Sequence, residues 1–341
     1  MILNMKLLPM LLALASVTGP AVILAQDKAQ DKKDAQDEST IKVEVNLVNI
    51  LCTVRNKSNG LVGNLEKKDF QIFEDGKEQE IKFFTRETDI PLTIGLLVDT
   101  SGSQERLLDT ERRAAYQFFS KVLRKKDLAF LMQFGAEAEL LQDDTNSPRL
   151  LQDGLNQLHM SVPVGGLHPG PVPTQQNQAG TILYDAVYLA AREKLQTEVG
   201  RKAMVLITDG VDTGSKISRD KAIEAAQKAD SIIYSIDYED PAAYGRRSFG
   251  TINLGGGQGE SELRRMSTET GGHVYRVDRR YSLDDIFQEL QEEMRSQYSI
   301  GYQPPNPNKD GTYHKIEIRV ADKNYKVQAR KGYYAVDTSG N

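Results

Sequence analysis

Five short apolar runs constrain this chain more than any other feature: "TIGLLVD" from Thr93, "LAFLMQF" from Leu128, "AMVLITD" from Ala203, "SIIYSID" from Ser231 and "GHVYRV" from Gly272. Each has the length of a strand and is apolar almost throughout, with none of the alternation of a half-exposed strand. A run of this kind reads as buried on both faces. Between them lie stretches with helical spacing of apolar residues: Glu105–Leu123, Thr181–Leu195, Arg219–Ala229, Glu260–Thr270 and Leu283–Gln297. Strands alternating with helices imply an α/β domain, doubly wound around a mainly parallel sheet with helices on both faces.

The rhythm differs on either side of this region. From Ile41, apolar residues alternate with polar ones through Leu47, then continue in shifted phase at Val48, Ile50, Cys52 and Val54, as a bulge would produce. "FQIFEDGKEQEIKFF" reads as a hairpin turning at Asp75-Gly76. After the last helix come "QYSIGYQP", "YHKIEIRVA" and "YKVQARKGYYA", with Asp310-Gly311 and Asp322-Lys323-Asn324 as turns. Neither flank has enough strands for a comfortable sheet. The expected organisation is therefore an α/β domain at 91–296 inserted in a small β domain built from N- and C-terminal segments, 41–90 and 297–336.

The N-terminus reads as a targeting segment. Lys6 precedes an apolar stretch, Leu7–Ala25, followed by the polar run "QDKAQDKKDAQDEST". This is the pattern of a secretory signal peptide over residues 1–25, with removal expected after Ala25. The apolar stretch also has the length of an uncleaved membrane anchor. Residues 26–40 read as a charged, disordered linker. The expected location is outside the cytoplasm, periplasmic or secreted, and membrane-anchored if the segment is retained. Cys52, the single cysteine, excludes an intrachain disulfide and reads as a buried small hydrophobe. A net charge of −5 lacks the concentrated basic face of a nucleic-acid binder.

Chemistry gathers where the strands end. In an open parallel sheet, ligands bind beyond the carboxyl ends of the strands. Asp99, Ser101 and Ser103 follow the first run, Asp209 ends the third, and Thr181 opens a helix just before that third strand. Two carboxylates and three hydroxyls are hard oxygen donors, suited to Mg²⁺ or Mn²⁺ and less well to Ca²⁺. With Gly102 between them, the hydroxyls of Ser101 and Ser103 can point the same way. An ion held by few anionic ligands stays electron-poor and keeps water, which a partner's carboxylate can replace.

"DTSGS", residues 99–103, resembles the D-x-S-x-S motif of the von Willebrand factor A (VWFA) domain, and Thr181 and the "TDG" aspartate Asp209 follow in that family's order. The resemblance spans about Thr93 to Arg295. It implies the vWA-type fold and a metal-ion-dependent adhesion site at Asp99, Ser101, Ser103, Thr181 and Asp209. In the family the hydroxyl residues ligate directly, and the aspartates directly or through water. The flanks, "GNLEKKDFQIFEDGKEQEIKFF" before and "YSIGYQPPNPNKDGTYHKIEIRV" after, resemble the secreted VWFA-related proteins of Acidobacteria.

Read singly, the same residues have plainer explanations. Asp99, Ser101 and Ser103 could form a strand-end turn and N-cap, Thr181 an N-cap, and Asp209 an Asp-Gly turn. Asp212 and Ser215 read as shaping their loop. The long connections 161–180 and 239–259 read either as a partner-facing rim or as plain flexible chain. "GGGQG" lacks the lysine and spacing of a phosphate loop. His159, His168, His273 and His314 show no zinc-ligand spacing, and the last two read as structural. Asp143-Asp144 and Asp284-Asp285 are adjacent and cannot flank a substrate, so they read as solvated or capping.

The expectation is an exported interaction module, not an enzyme, that binds an exposed Asp or Glu of a partner protein through a divalent cation. A metal-dependent hydrolase would need a general base that the sequence does not offer. A scaffold whose cation only ties loops together is the other alternative.

Overall fold

The computed structural model describes residues 47–87, 90–161, 180–238 and 256–335. The leader, the linker and the alternation from Ile41 to Asn46 lie outside the described residues. All five apolar runs become strands of one six-stranded sheet. Its strands are β5 (Leu92–Asp99), β6 (Leu128–Phe134), β7 (Ala138–Thr145), β8 (Arg201–Thr208), β9 (Ser231–Asp237) and β10 (Val274–Arg276), in the order β10-β9-β8-β5-β6-β7. Every neighbouring pair is parallel except β6 and β7. Residues of β5, β8 and β9 are buried at every position, as their continuous apolar character demands.

Period-two alternation splits the core into two layers. Leu92, Ile94, Leu96 and Val98 pack on one face with α1 (Leu108–Val122), α2 (Pro148–Leu155) and α6 (Leu283–Met294). There the Phe118 and Phe287 rings stack 4.5 Å apart. Leu97, Met204 and Leu206 face the other way, against α3 (Leu183–Leu189), α4 (Arg219–Lys228) and α5 (Gly256–Thr270). Gly95 is required on this face, because a Cβ there would stand 2.3 Å from the Phe130 ring.

Strands from both ends of the chain pair with one another. One four-stranded sheet has the order β13-β1-β11-β4, joining β1 (Val48–Arg55) and β4 (Ile81–Glu87) to β11 (Gln297–Tyr302) and β13 (Lys326–Ala329). The other, β14-β12-β2-β3, joins β2 (Phe70–Glu74) and β3 (Lys77–Gln79) to β12 (Tyr313–Val320) and β14 (Gly332–Tyr334). Ile50, Cys52, Ile72, Ile300 and Ile316 fill the space they share, with Phe70, Phe84 and Tyr298 in mutual ring contact. Burial pushes the Cys52 thiol up to about 12, so it stays protonated and packs as a hydrophobe. The hairpin turns where expected, with Asp75 at φ 48° and Gly76 at φ 80°.

Several boundaries differ from the sequence reading. The helix expected from Glu105 starts at Leu108, because Gly102–Gln104 form a 3₁₀ turn first. The helix expected to reach Gln297 stops at Met294, where the Arg295 guanidinium is held by Asp127 and the Val122 carbonyl. Strand β7 and helix α2 were not expected at all. Helix α2 nonetheless carries a legible start, with Ser147 as N-cap accepting from Leu150 N–H and Pro148 in the first turn.

Candidate metal centre

Strands β5 and β8 lie side by side in parallel register, Val98 opposite Ile207, so Asp99 and Thr208 end the two strands together. The Thr208 hydroxyl donates to Asp99 Oδ2 at 2.6 Å, and Ser101 N–H donates to Oδ1 at 2.9 Å. Asp99 is fully buried. Beyond it, Ser101 turns the chain outward in an extended conformation, and the 3₁₀ turn brings Ser103 back. The two serine hydroxyls lie 3.1 Å apart, both half-buried. Nothing stands near Gly102 between them, so the space there would admit a side chain.

Neighbouring strands brace this loop. Thr100 donates to the Phe134 carbonyl at the end of β6, through its N–H at 2.7 Å and its hydroxyl at 3.2 Å. Buried Gln104 donates to the Tyr238 carbonyl beyond β9. Asp209 follows Thr208 and is 4 % exposed; its Oδ1 accepts from Val211 N–H. Gly210 turns the chain there with φ 76°.

The start of α5 lies directly behind, where a Cβ on Gly259 would stand 2.1 Å from the Asp209 carbonyl oxygen. This close approach accounts for Gly259, the last glycine of "GGGQG". It also corrects the expected loop 239–259, because Gly256–Gly259 open a helix. Residues 239–255 and 162–179 lie outside the described residues, as does His168.

Thr181 precedes α3 and is gripped by the loop after Asp209. Its N–H donates to the Thr213 hydroxyl, and its carbonyl accepts from Thr213 and Gly214 N–H, all at 3.0 Å. The next residue, Ile182, donates to the Gly135 carbonyl just past β6. The chain thus brings the Asp99 loop, the Asp209 loop and Thr181 to one edge of the sheet. Asp212 and Ser215 shape the loop as expected, accepting from the N–H groups of Tyr184 and Asp185 at the start of α3.

The electrostatics are those of a site short of positive charge. Burial pushes the Asp99 carboxyl up to about 6; the Thr208 hydrogen bond opposes this, and the Asp209 carboxylate adds to it. Asp99 forms no ion pair among the described residues, so only hydroxyl and amide donors meet its charge. Glu111, on α1, is fully buried, and neither of its carboxyl oxygens has a hydrogen-bond partner. Burial, then the nearby charge of Asp99, raises its carboxyl well above the usual range. A divalent cation would relieve this surplus of negative charge, and the hard oxygens suit one of the Mg²⁺ class. The residues present therefore fit the ion.

Sequence reasoning missed Thr208 and Glu111. The first was findable from the parallel register that follows once "DTSGS" and "TDG" are both placed at strand ends. The second shows as an acidic residue on the helix face shared by Leu108, Ala115 and Phe118. Other candidates resolve simply. Asp143 and Asp144 both pair with Lys194, and Asp285 closes a capping box with Ser282. His159 contacts Gln133, and burial lowers the pKa of His273.

In three dimensions the chain is similar to the BatB protein of Bacteroides thetaiotaomicron, at 18% identity over 60% of this chain and 97% of that one, with a TM-score of 0.42. It is also similar to the vWF domain of the type V pili tip protein Mfa5 from Porphyromonas gingivalis, at 12% identity over 60% and 95% of the two chains and a TM-score of 0.43. Proximal thread matrix protein 1 of the mussel byssus, with a zinc occupied MIDAS motif, is similar at 15% identity over 65% and 49%, with a TM-score of 0.43. No curated protein matches the chain. The family model for the von Willebrand factor type A domain matches residues 93–289, more than half of the sequence, running from within β5 to within α6. The chain belongs to the von Willebrand factor type A domain family.

Proposed function

We propose that this protein is an exported adhesion module that captures an acidic side chain of a partner protein through a divalent cation. Asp99, Ser101, Ser103, Thr181 and Asp209 would hold Mg²⁺ or Mn²⁺, the serine hydroxyls directly and the aspartates directly or through water. The observation that carries the reading is the pair of half-buried serine hydroxyls, 3.1 Å apart, beside a buried Asp99 whose charge meets no cationic side chain among the described residues. Hydroxyl ligands leave the ion with most of its charge, so a carboxylate that replaces water in its open position is held strongly. One such contact sets orientation; the surrounding surface supplies most of the affinity.

The narrower likeness to secreted VWFA-related proteins, and the leader-like segment before residue 26, support a place outside the cytoplasm. Among the described residues no helix is long and apolar enough to cross a membrane. The reading is tested with an array of short peptides that differ only in carrying Asp, Glu, Asn or Gln at one position. Immobilised protein is expected to retain the Asp and Glu peptides in Mg²⁺ and to release them in EDTA. Retention of the Asn and Gln peptides to the same degree, or retention unchanged in EDTA, would contradict it. Turnover of ester, peptide or phosphate substrates in Mg²⁺ would point to the hydrolase alternative instead.

A further inference from the structure

Far along the chain from Asp99, three metal-binding side chains meet in the paired flanking sheets. Glu74 ends β2, Asp75 opens the β2–β3 turn, and His314 lies on β12, which pairs antiparallel with β2. Their nearest donor atoms all lie within 4.8 Å of one another. His314 Nδ1 stands 2.9 Å from Asp75 Oδ2 and 3.7 Å from Glu74 Oε1.

Each carboxylate is clamped through one oxygen only. Glu74 Oε2 accepts from the hydroxyls of Tyr302 and Tyr333, and Asp75 Oδ1 accepts from Lys315 N–H at 2.9 Å. The other oxygens face the imidazole. Glu74 is only 4 % exposed, and its Oε1 stands beyond hydrogen-bond distance of Nδ1, at 3.7 Å. Among the described residues the ion-pair partner of both carboxylates is His314. The His314 ring is set by stacking on Tyr333 at 5.4 Å, and its Nε2 is buried with no partner. The two carboxylates are thus oriented through their far oxygens, as the ligands of a metal site are.

We infer that Glu74, Asp75 and His314 form a second divalent-cation site, of the zinc class, that ties the β2–β3 turn to β12. One imidazole and two carboxylates match the donors zinc takes, with a fourth position left for water. A tetrahedral ion with ligands at about 2.0–2.1 Å sets its donors roughly 3.3 Å apart, which the observed 2.9 and 3.7 Å bracket. The ion takes the place of the proton between Nδ1 and Asp75, and the neutral ring then carries its proton on Nε2. No local spacing announces the site, because its ligands come from positions some 240 residues apart.

The test uses the untagged full chain carrying Asp99→Ala, so that the first centre does not contribute, titrated with Zn²⁺ by calorimetry and with Co²⁺ by visible absorption. One equivalent of each ion is expected to bind, with the Co²⁺ spectrum of a low-coordinate site. Asp75→Asn and Glu74→Gln are each expected to weaken Zn²⁺ by about 100-fold or more. Both keep the clamping hydrogen bonds: asparagine tolerates the positive φ and still accepts from Lys315, giving up only its contact with His314, and glutamine still accepts from the tyrosines. Absence of stoichiometric Zn²⁺ binding to the Asp99→Ala chain would overturn the inference. Unaltered affinity in both folded variants would overturn it equally.

Discussion

Asp99 carries a heavy electrostatic burden at the carboxyl edge of the parallel sheet. A buried carboxylate costs free energy unless it is paired, and here hydroxyls and an amide take the place of a partner charge. With its pKa moved from 3.8 to about 6, the folded ion-free chain holds the proton more tightly than the unfolded one. The stability this contributes is complete below about pH 4 and is lost as pH rises through about 6; the shift corresponds to about 3 kcal/mol. Asp99→Asn in metal-stripped protein is therefore expected to match the unaltered chain near pH 4. By pH 7.5 it should exceed it by about 2 kcal/mol, read from urea denaturation. A stability difference that does not change with pH would refute this account.

At the same scale, the site's legibility was uneven. "DTSGS" exposed Asp99, Ser101 and Ser103 because all of them lie in one short loop, and the topology ordered Thr181 and Asp209 behind them. Thr208 owes its role to strand register, and Glu111 is hidden among apolar neighbours, so neither declares itself locally.

Among the elements, α6 is the one most firmly joined to the flanking sheets. Glu293, fully buried near its end, takes the Arg55 guanidinium from β1, the Tyr275 hydroxyl at 2.9 Å from β10, and Gln328 Nε2 at 2.8 Å from β13. Glu289, one turn earlier, pairs with the same arginine at 2.8 Å. Removing one member strands a buried charge, which costs far more than the net worth of the pair. Arg55→Met is expected to destabilise the chain by about 3–5 kcal/mol, and adding Glu293→Met to recover most of the loss. Guanidinium denaturation of the single and double variants checks this; equal stability of the two would show that the ion pair is not what is buried at cost. Periodicity exposed the buried strands and five helices, because burial on both faces leaves no ambiguity in composition. It failed at β7, an edge strand whose "ELLQDDT" is half-exposed, and at α2, only eight residues long.

At the scale of the whole molecule, the parallel sheet sets two oxygen-bearing loops side by side at its carboxyl edge. Strands from both chain ends pair into sheets that hold the last helix through Glu293. We read the flanking strands as one β domain into which the VWA domain is inserted. That division of labour stands or falls on whether the edge of the sheet holds an ion. The most direct measurement is calorimetric titration of the full chain with Mg²⁺, beside Asp99→Ala and Asp209→Ala. One ion bound by the unaltered chain and none by either variant is the predicted result. Mg²⁺ binding that persists undiminished in both variants, or fails in the unaltered chain, would contradict it.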